Sequence, residues 1–226
     1  MLFRSVEAEL DEDRVGVVAL HIPLHTAQAV FRGVAADPGV GHRNRVAQMT
    51  RMLATLREPV AVTNAGVSGD TTEAGLRRMQ WDVERHHPNA VFVQFGLNDA
   101  SFWYTSVGRP LVGFRTYLAN MGEIIQRSFR SGAHTVFLAT NHRPAEAPDI
   151  PGAELYRRTV REYNEGLRAT FSGMKGIVLI DMERLILDQF PNPDTILSPD
   201  GVHLNRTGND FYFMAIGRRI ARSLAG

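Results

Sequence analysis

Cysteine is absent from the 226-residue chain, which excludes disulfides, thiolate metal sites and a cysteine nucleophile. Lysine is nearly absent too. Lys175 is the only one, and arginine carries almost all of the positive charge. The arginines are scattered and mostly fall on expected helix surfaces, so the bias reads as one of composition and not as a binding signature. Neither sign of charge prevails, the formal net charge being +1, so bulk electrostatics give no reason to expect nucleic acid or an anionic membrane as partner. No apolar run approaches the roughly 20 residues of a spanning helix. The opening Met1-Leu2-Phe3-Arg4-Ser5 runs into an acidic stretch from Glu7 to Asp13, unlike a secretory signal. The expectation is a cytoplasmic protein with no membrane or nucleic-acid partner.

What is present is ordinary for a soluble globular chain, with 44% hydrophobic and 22% charged residues. The length suits one domain over residues 1–226, with 1–14 as an N-terminal extension. Short apolar runs alternate with segments of helical period. Strands are expected at Val15–Leu20, Val60–Asn64, Ala90–Phe95, Thr135–Ala139 and Ile177–Ile180. Helices are expected at Arg45–Leu56, Thr72–His86, Phe114–Ser131, Glu154–Phe171 and Gly208–Leu224, with Gly132 closing the third. Strict alternation of this kind predicts an α/β fold, a parallel sheet covered by helices on both faces. Such sheets place ligands beyond the C-terminal ends of their strands, so the residues that follow each strand carry the functional argument.

After the second strand comes Asn64-Ala65-Gly66-Val67-Ser68-Gly69-Asp70-Thr71-Thr72. Glycines and small polar residues there leave backbone N–H groups able to face an anion, or merely make a tight turn. After the third comes Gly96-Leu97-Asn98-Asp99. Asn98 can donate to a developing oxyanion, or cap a turn or helix. Before the last helix comes Ser198-Pro199-Asp200-Gly201-Val202-His203. Asp200, three residues ahead of His203, can orient the imidazole as the supporting half of a nucleophile–base–acid triad, or the segment is a surface turn with a solvated histidine.

Taken in order, these three blocks resemble those of the SGNH/GDSL hydrolase superfamily, and the run Asn-Ala-Gly-Val-Ser-Gly-Asp-Thr-Thr is particularly close to its thioesterase/lysophospholipase branch. The resemblance implies a flavodoxin-like three-layer α/β/α sandwich with a five-stranded parallel sheet. It also implies a site in which Gly69 and Asn98 are oxyanion donors, His203 is the base and Asp200 orients it. The implied substrate is an ester or thioester of a small to medium acyl group, and no cofactor or metal is implied. Asp99, Trp103, Asn141 and Thr26 are the expected substrate contacts. The oligomeric state is left open.

One block departs. The family has Gly-Asp-Ser after its first strand, whereas this chain continues Leu20-His21-Ile22-Pro23-Leu24-His25-Thr26. Pro23 or Leu24 falls at the serine's place, and neither side chain can attack a carbonyl. Three explanations follow. Another hydroxyl (Thr26 or Ser68) or a water activated by His203 attacks; the fold is a ligand-binding pseudoenzyme; or the His203–Asp200 pair runs a lyase- or cyclase-type reaction. His21 and His25 admit a zinc reading, but their spacing fits no helical ligand pair and a polar loop is favoured. The Asp37–Asn44 segment is glycine-rich but lacks a phosphate-loop ending and reads as a connection. Of Asn141, His142 and Arg143, the sequence does not tell which faces the cleft.

Overall fold

A computed structural model of the chain describes residues 18–20, 49, 62–67, 69–102, 108–146, 150 and 152–225. The strands are β1 (Val18–Leu20), β2 (Val62–Asn64), β3 (Ala90–Val93), β4 (Thr135–Ala139) and β5 (Ile177–Ile180). They form one sheet in the order β2-β1-β3-β4-β5, with every neighbouring pair parallel. Leu20 of β1 is level with Asn64 of β2 and Phe92 of β3. The C-terminal end of β1 therefore lies between the ends of β2 and β3. The order reverses at β1, and a doubly wound sheet opens its ligand crevice at such a switch point.

The helices are α1 (Thr72–Asp82), α2 (Phe114–Arg130), α3 (Ala153–Phe171), α4 (Met182–Gln189) and α5 (Arg206–Ala225). Successive side chains of a strand point to opposite faces, and two separate cores result. Val91, Val93, Val136 and Leu138 pack with Met79 of α1, Tyr117 and Ile124 of α2, and Val160 and Leu167 of α3. Phe92, Phe137 and Ala139 pack with Met182 and Ile186 of α4 and with Tyr212, Ile216 and Ile220 of α5. In the first core, α3 approaches α2 closely enough that a Cβ on Gly166 would stand 2.6 Å from the Phe114 ring.

Several boundaries differ from the sequence expectation. The helix expected to reach His86 stops at Asp82. Glu84–His86 continues as a separate 3₁₀ turn, ended by His87 in the left-handed region at φ 45°. β3 ends at Val93, two residues earlier than expected, and the Gln94 side-chain amide that follows donates to the Thr140 carbonyl at 2.8 Å. Helix α4 was not expected. It is short, and its signal is a cap: the Asp181 side chain accepts from Arg184 N at 3.2 Å directly after β5. The expected helix at Arg45–Leu56 lies outside the described residues except for Met49, which is helical and buried. The 1–14 extension and the 37–44 connection also lie outside them. Lys175 is exposed and stands just ahead of β5, at the N-terminal edge of the sheet. Among the described residues, no helix is long and apolar enough to cross a membrane.

Leu138 is fully buried in the first core, so Leu138→Ala is expected to cost about 2–5 kcal/mol. Urea unfolding should show a lower midpoint with an unchanged slope; a midpoint equal to that of the parent chain would mean that this face of β4 is not packed.

Candidate functional site

Asp200 and His203 lie in a loop closed at its base by an antiparallel bridge between Leu197 and Leu204. Pro199 and Gly201 occupy the places a tight turn favours, with Gly201 N donating to Ser198 O at 2.9 Å and Gly201 at φ 68°. Asp200 Oδ1 accepts from the backbone N–H of Val202 and of His203, each at 2.9 Å. Asp200 Oδ2 accepts from His203 Nδ1 at 2.5 Å. Burial alone would push the Asp200 carboxyl up. The hydrogen bonds from His203 and from the Val202 and His203 backbone outweigh it, holding Asp200 below the ordinary carboxylate value. An ionised acceptor fixes the proton on Nδ1, so the Nε2 lone pair is the basic one.

The turn after β2 is anchored from two sides. Gly69 is exposed and left-handed at φ 80°, a conformation that costs glycine little. The next residue, Asp70, pairs through its carboxylate with Arg78 of α1, and its carbonyl accepts from Asn98 Nδ2 at 2.9 Å. Asn98 therefore binds the Gly69–Asp70 turn with one amide hydrogen and is half-buried. Its own turn is closed by Ser101 N and Oγ donating to Asn98 O at 3.1 and 2.8 Å. Asp70, Gln94, Gly96, Asn98 and Asn141 line one small cavity.

Two of the expected substrate contacts are buried and engaged within the fold. Asp99 is fully buried. Its Oδ1 accepts from Thr72 N at 2.9 Å and from Thr72 Oγ1 at 2.5 Å, so it holds the start of α1. Burial pushes its carboxyl up to about 6 against the opposing hydrogen bonds of Thr72; Asp99 Oδ2 has no hydrogen-bond partner among the described residues. Asn141 is also buried. Its Nδ2 donates to Phe95 O at 2.7 Å, where a Cβ on Gly96 would meet it at 2.5 Å. Its backbone N–H donates to Asn164 Oδ1 at 2.8 Å, and Asn164 Nδ2 donates back to Asn141 O at 2.9 Å. Asn141 thus ties β4 to the Asn98 turn as a framework residue. His142 is likewise buried, which leaves Arg143 the exposed member of the trio; its guanidinium pairs with buried Glu183, Nε to Oε1 at 2.5 Å. Thr26, Trp103, Ser68, His21, His25, Pro23 and Leu24 lie outside the described residues. Among the described residues, no three His, Asp or Glu side chains gather as metal ligands would.

The framework residues Asn164, Thr72 and Tyr212 were missed from sequence. For Asn164 the signal was there: an asparagine on the apolar stripe of α3, among Tyr156, Val160, Tyr163 and Leu167. A polar residue on a buried stripe needs a partner.

Comparison with known proteins gives a match to the model of the GDSL-like lipase/acylhydrolase family over residues 31–211. Thioesterase 1/protease 1/lysophospholipase L1 of Escherichia coli strain K12 is 24% identical over 202 residues, covering 84% of this chain and 87% of that protein. A lipoprotein of Bacillus subtilis, YqeF, is 32% identical over 77 residues, and there the chain spans only 31% of the relative. The crystal structure of a lipase/acylhydrolase from Enterococcus faecalis is 28% identical with a TM-score of 0.60, covering 84% of this chain and 88% of that one.

Two buried groups give stability a compensated pH dependence. Burial pushes His142 down to about 4, so it stays neutral in the fold while the unfolded chain takes up a proton near 6.5; its contribution is lost as pH falls from 6.5 to 4. Asp99 works the other way, since its folded value of about 6 lies above that of the unfolded chain, and its contribution is gained as pH falls through the same range. Each of these displacements is worth about 3 kcal/mol. Asp99→Asn keeps the acceptor for Thr72 and removes the titration. The variant should be more stable than its parent at pH 7 and should lose stability on acidification to pH 4 more steeply by about one proton. Denaturation curves that run parallel for the two proteins across that range would contradict the assignment.

Proposed function

Because the chain belongs to the GDSL-like lipase/acylhydrolase family, we propose that it acts on an ester or thioester of a small to medium acyl group, as a single three-layer α/β/α domain. The observation that carries the reading is the Asp200–His203 pair, with Nδ1 at 2.5 Å from the carboxylate. In this reading His203 Nε2 takes the proton of the attacking group, Asp200 stabilises the imidazolium that forms, and Asn98 with the Gly69 N–H holds the oxyanion. The tie between Asn98 and the Gly69–Asp70 turn at 2.9 Å supports it, since two donors that must converge on one oxygen gain from a fixed relative position. The second amide hydrogen of Asn98 is the one left to point at substrate.

The nucleophile is altered. Nothing in Leu20-His21-Ile22-Pro23-Leu24-His25 can serve as the family's serine, and the family match begins only at residue 31. A hydroxyl from another element or a water activated by His203 attacks in its place. The same observation favours a second reading, in which the His203–Asp200 pair acts as a general base without acyl transfer, or the cleft only binds its ligand.

Hydrolysis of p-nitrophenyl acetate tests the first reading. His203→Ala and Asn98→Ala should each lower turnover, and loss of one oxyanion donor typically costs about 10²–10³. An activity indifferent to both changes would belong to another site.

Incubation with a fluorophosphonate probe, followed by intact-mass spectrometry, addresses the nucleophile. No adduct is expected. A stoichiometric adduct on Thr26, Ser68 or Ser101 that vanishes in His203→Ala would overturn that expectation and show the nucleophile moved to another element.

A further inference from the structure

We propose that His142 is a positioning residue for His203: its ring holds the Val202–His203 peptide, and through it the direction in which the His203 imidazole is presented. The proposal rests on His203 being the base of the site.

His142 stands three residues beyond the end of β4 and is 2% exposed. Its Nε2 lies 2.7 Å from Val202 O. A carbonyl can only accept, so Nε2 carries the proton and Nδ1 is bare. Nδ1 lies 3.0 Å from Tyr212 Oη, which must then donate to it. The same hydroxyl accepts from the His142 backbone N–H at 2.8 Å. Both ring nitrogens of His142 and the Tyr212 hydroxyl are used, and the tautomer is dictated by the chain of bonds. Burial pushes His142 down to about 4, so the ring keeps this one-donor, one-acceptor form at neutral pH.

What the ring holds is specific. The carbonyl it binds and the N–H of His203 belong to one peptide plane. That N–H donates to Asp200 Oδ1 at 2.9 Å, so the plane is gripped on both edges. The His203 carbonyl in turn accepts from Ser198 N at 2.6 Å. A second bond, Ala145 N to Gly201 O at 2.7 Å, joins the same two segments. An apolar side chain would fill this space without the cost of burying a histidine; a histidine committed to the peptide bond next to His203 does more than fill space. A rotation of that peptide would swing the imidazole away from Asp200, and misplacement by about 1 Å can cost up to 10²-fold in rate.

The test uses the full chain and the variants His142→Phe, His142→Gln and Tyr212→Phe. The phenyl ring keeps the shape and removes the donor, whereas the glutamine amide places an N–H about where Nε2 stood. The first readout is the proton shared by His203 Nδ1 and Asp200, followed in histidine-labelled protein by its downfield resonance and exchange rate; it needs no turnover. The second is kcat and KM for p-nitrophenyl acetate across pH. His142→Phe is expected to speed exchange of that proton and to lower kcat by ~10- to 100-fold with KM changed less than about twofold, and His142→Gln to restore most of both. If His142→Phe does not fold, Tyr212→Phe decides by the same readouts. A folded His142→Phe, or Tyr212→Phe in its stead, with the His203 proton undisturbed would overturn the proposal, as would a glutamine variant no better than phenylalanine. Should the parent chain show no turnover at all, the hydrolase reading fails while the resonance still decides whether His142 positions His203.

Discussion

The C-terminal edge of the sheet depends on how the backbone of residues 140–142 is satisfied once β4 has ended. A parallel strand that outruns its neighbours leaves N–H and C=O groups with no ladder to join, and buried groups of that kind must find partners. Here Thr140 N still reaches Ile180 O at 3.1 Å, while Thr140 O takes the Gln94 side chain. Asn141 then exchanges both of its backbone bonds with the side chain of Asn164, as if a single residue of α3 stood in for a strand. His142 N is taken by Tyr212 of α5. Three elements thus hold one short stretch of chain.

That stretch carries two consecutive side chains in different directions. Asn141 reaches Phe95 O, at the root of the Asn98 turn, and His142 reaches Val202 O, beside His203. The oxyanion half and the base half of the candidate site are therefore referred to the same backbone. Neither half has to be rigid in its own right. The turn at Gly69–Asp70 and the Ser198–His203 loop are both tied to it, directly or through Asn98. Thr140 extends the arrangement outward: its hydroxyl donates to Asp181 at 3.0 Å and accepts from Glu183 N at 3.1 Å, next to the ion pairs of Arg168 with Asp181 and Glu183.

Sheet and blocks were legible in the sequence for different reasons. β3 and β4 announce themselves as unbroken apolar runs because both of their faces are buried, and the turns that follow are marked by glycine, asparagine and aspartate. Asp200 with His203 was readable because the two are three residues apart, so chain geometry alone brings them within reach. The burial of Asp99 and Asn141 was not legible, for the converse reason. Their partners, Thr72, Phe95 and Asn164, are 23 to 46 residues away in sequence, and local pattern does not say whether a polar side chain at a strand end turns toward solvent or toward the core. The role of His142 was hidden likewise, since Val202 and Tyr212 lie 60 and 70 residues on. The helix end at Asp82 and the existence of α4 rest on capping, where one or two residues decide.

The scarcity of lysine has a practical side. Among side chains, only Lys175 offers a primary amine, and that residue is exposed at the rim where β5 begins. Among the described residues, Gly69, Asn98 and the loop tied to His142 lie at the rim where strands end. A support, dye or crosslinker coupled through Lys175 would hold the molecule by its far side, with the Asp200–His203 loop and the Asn98 turn presented outward in one orientation.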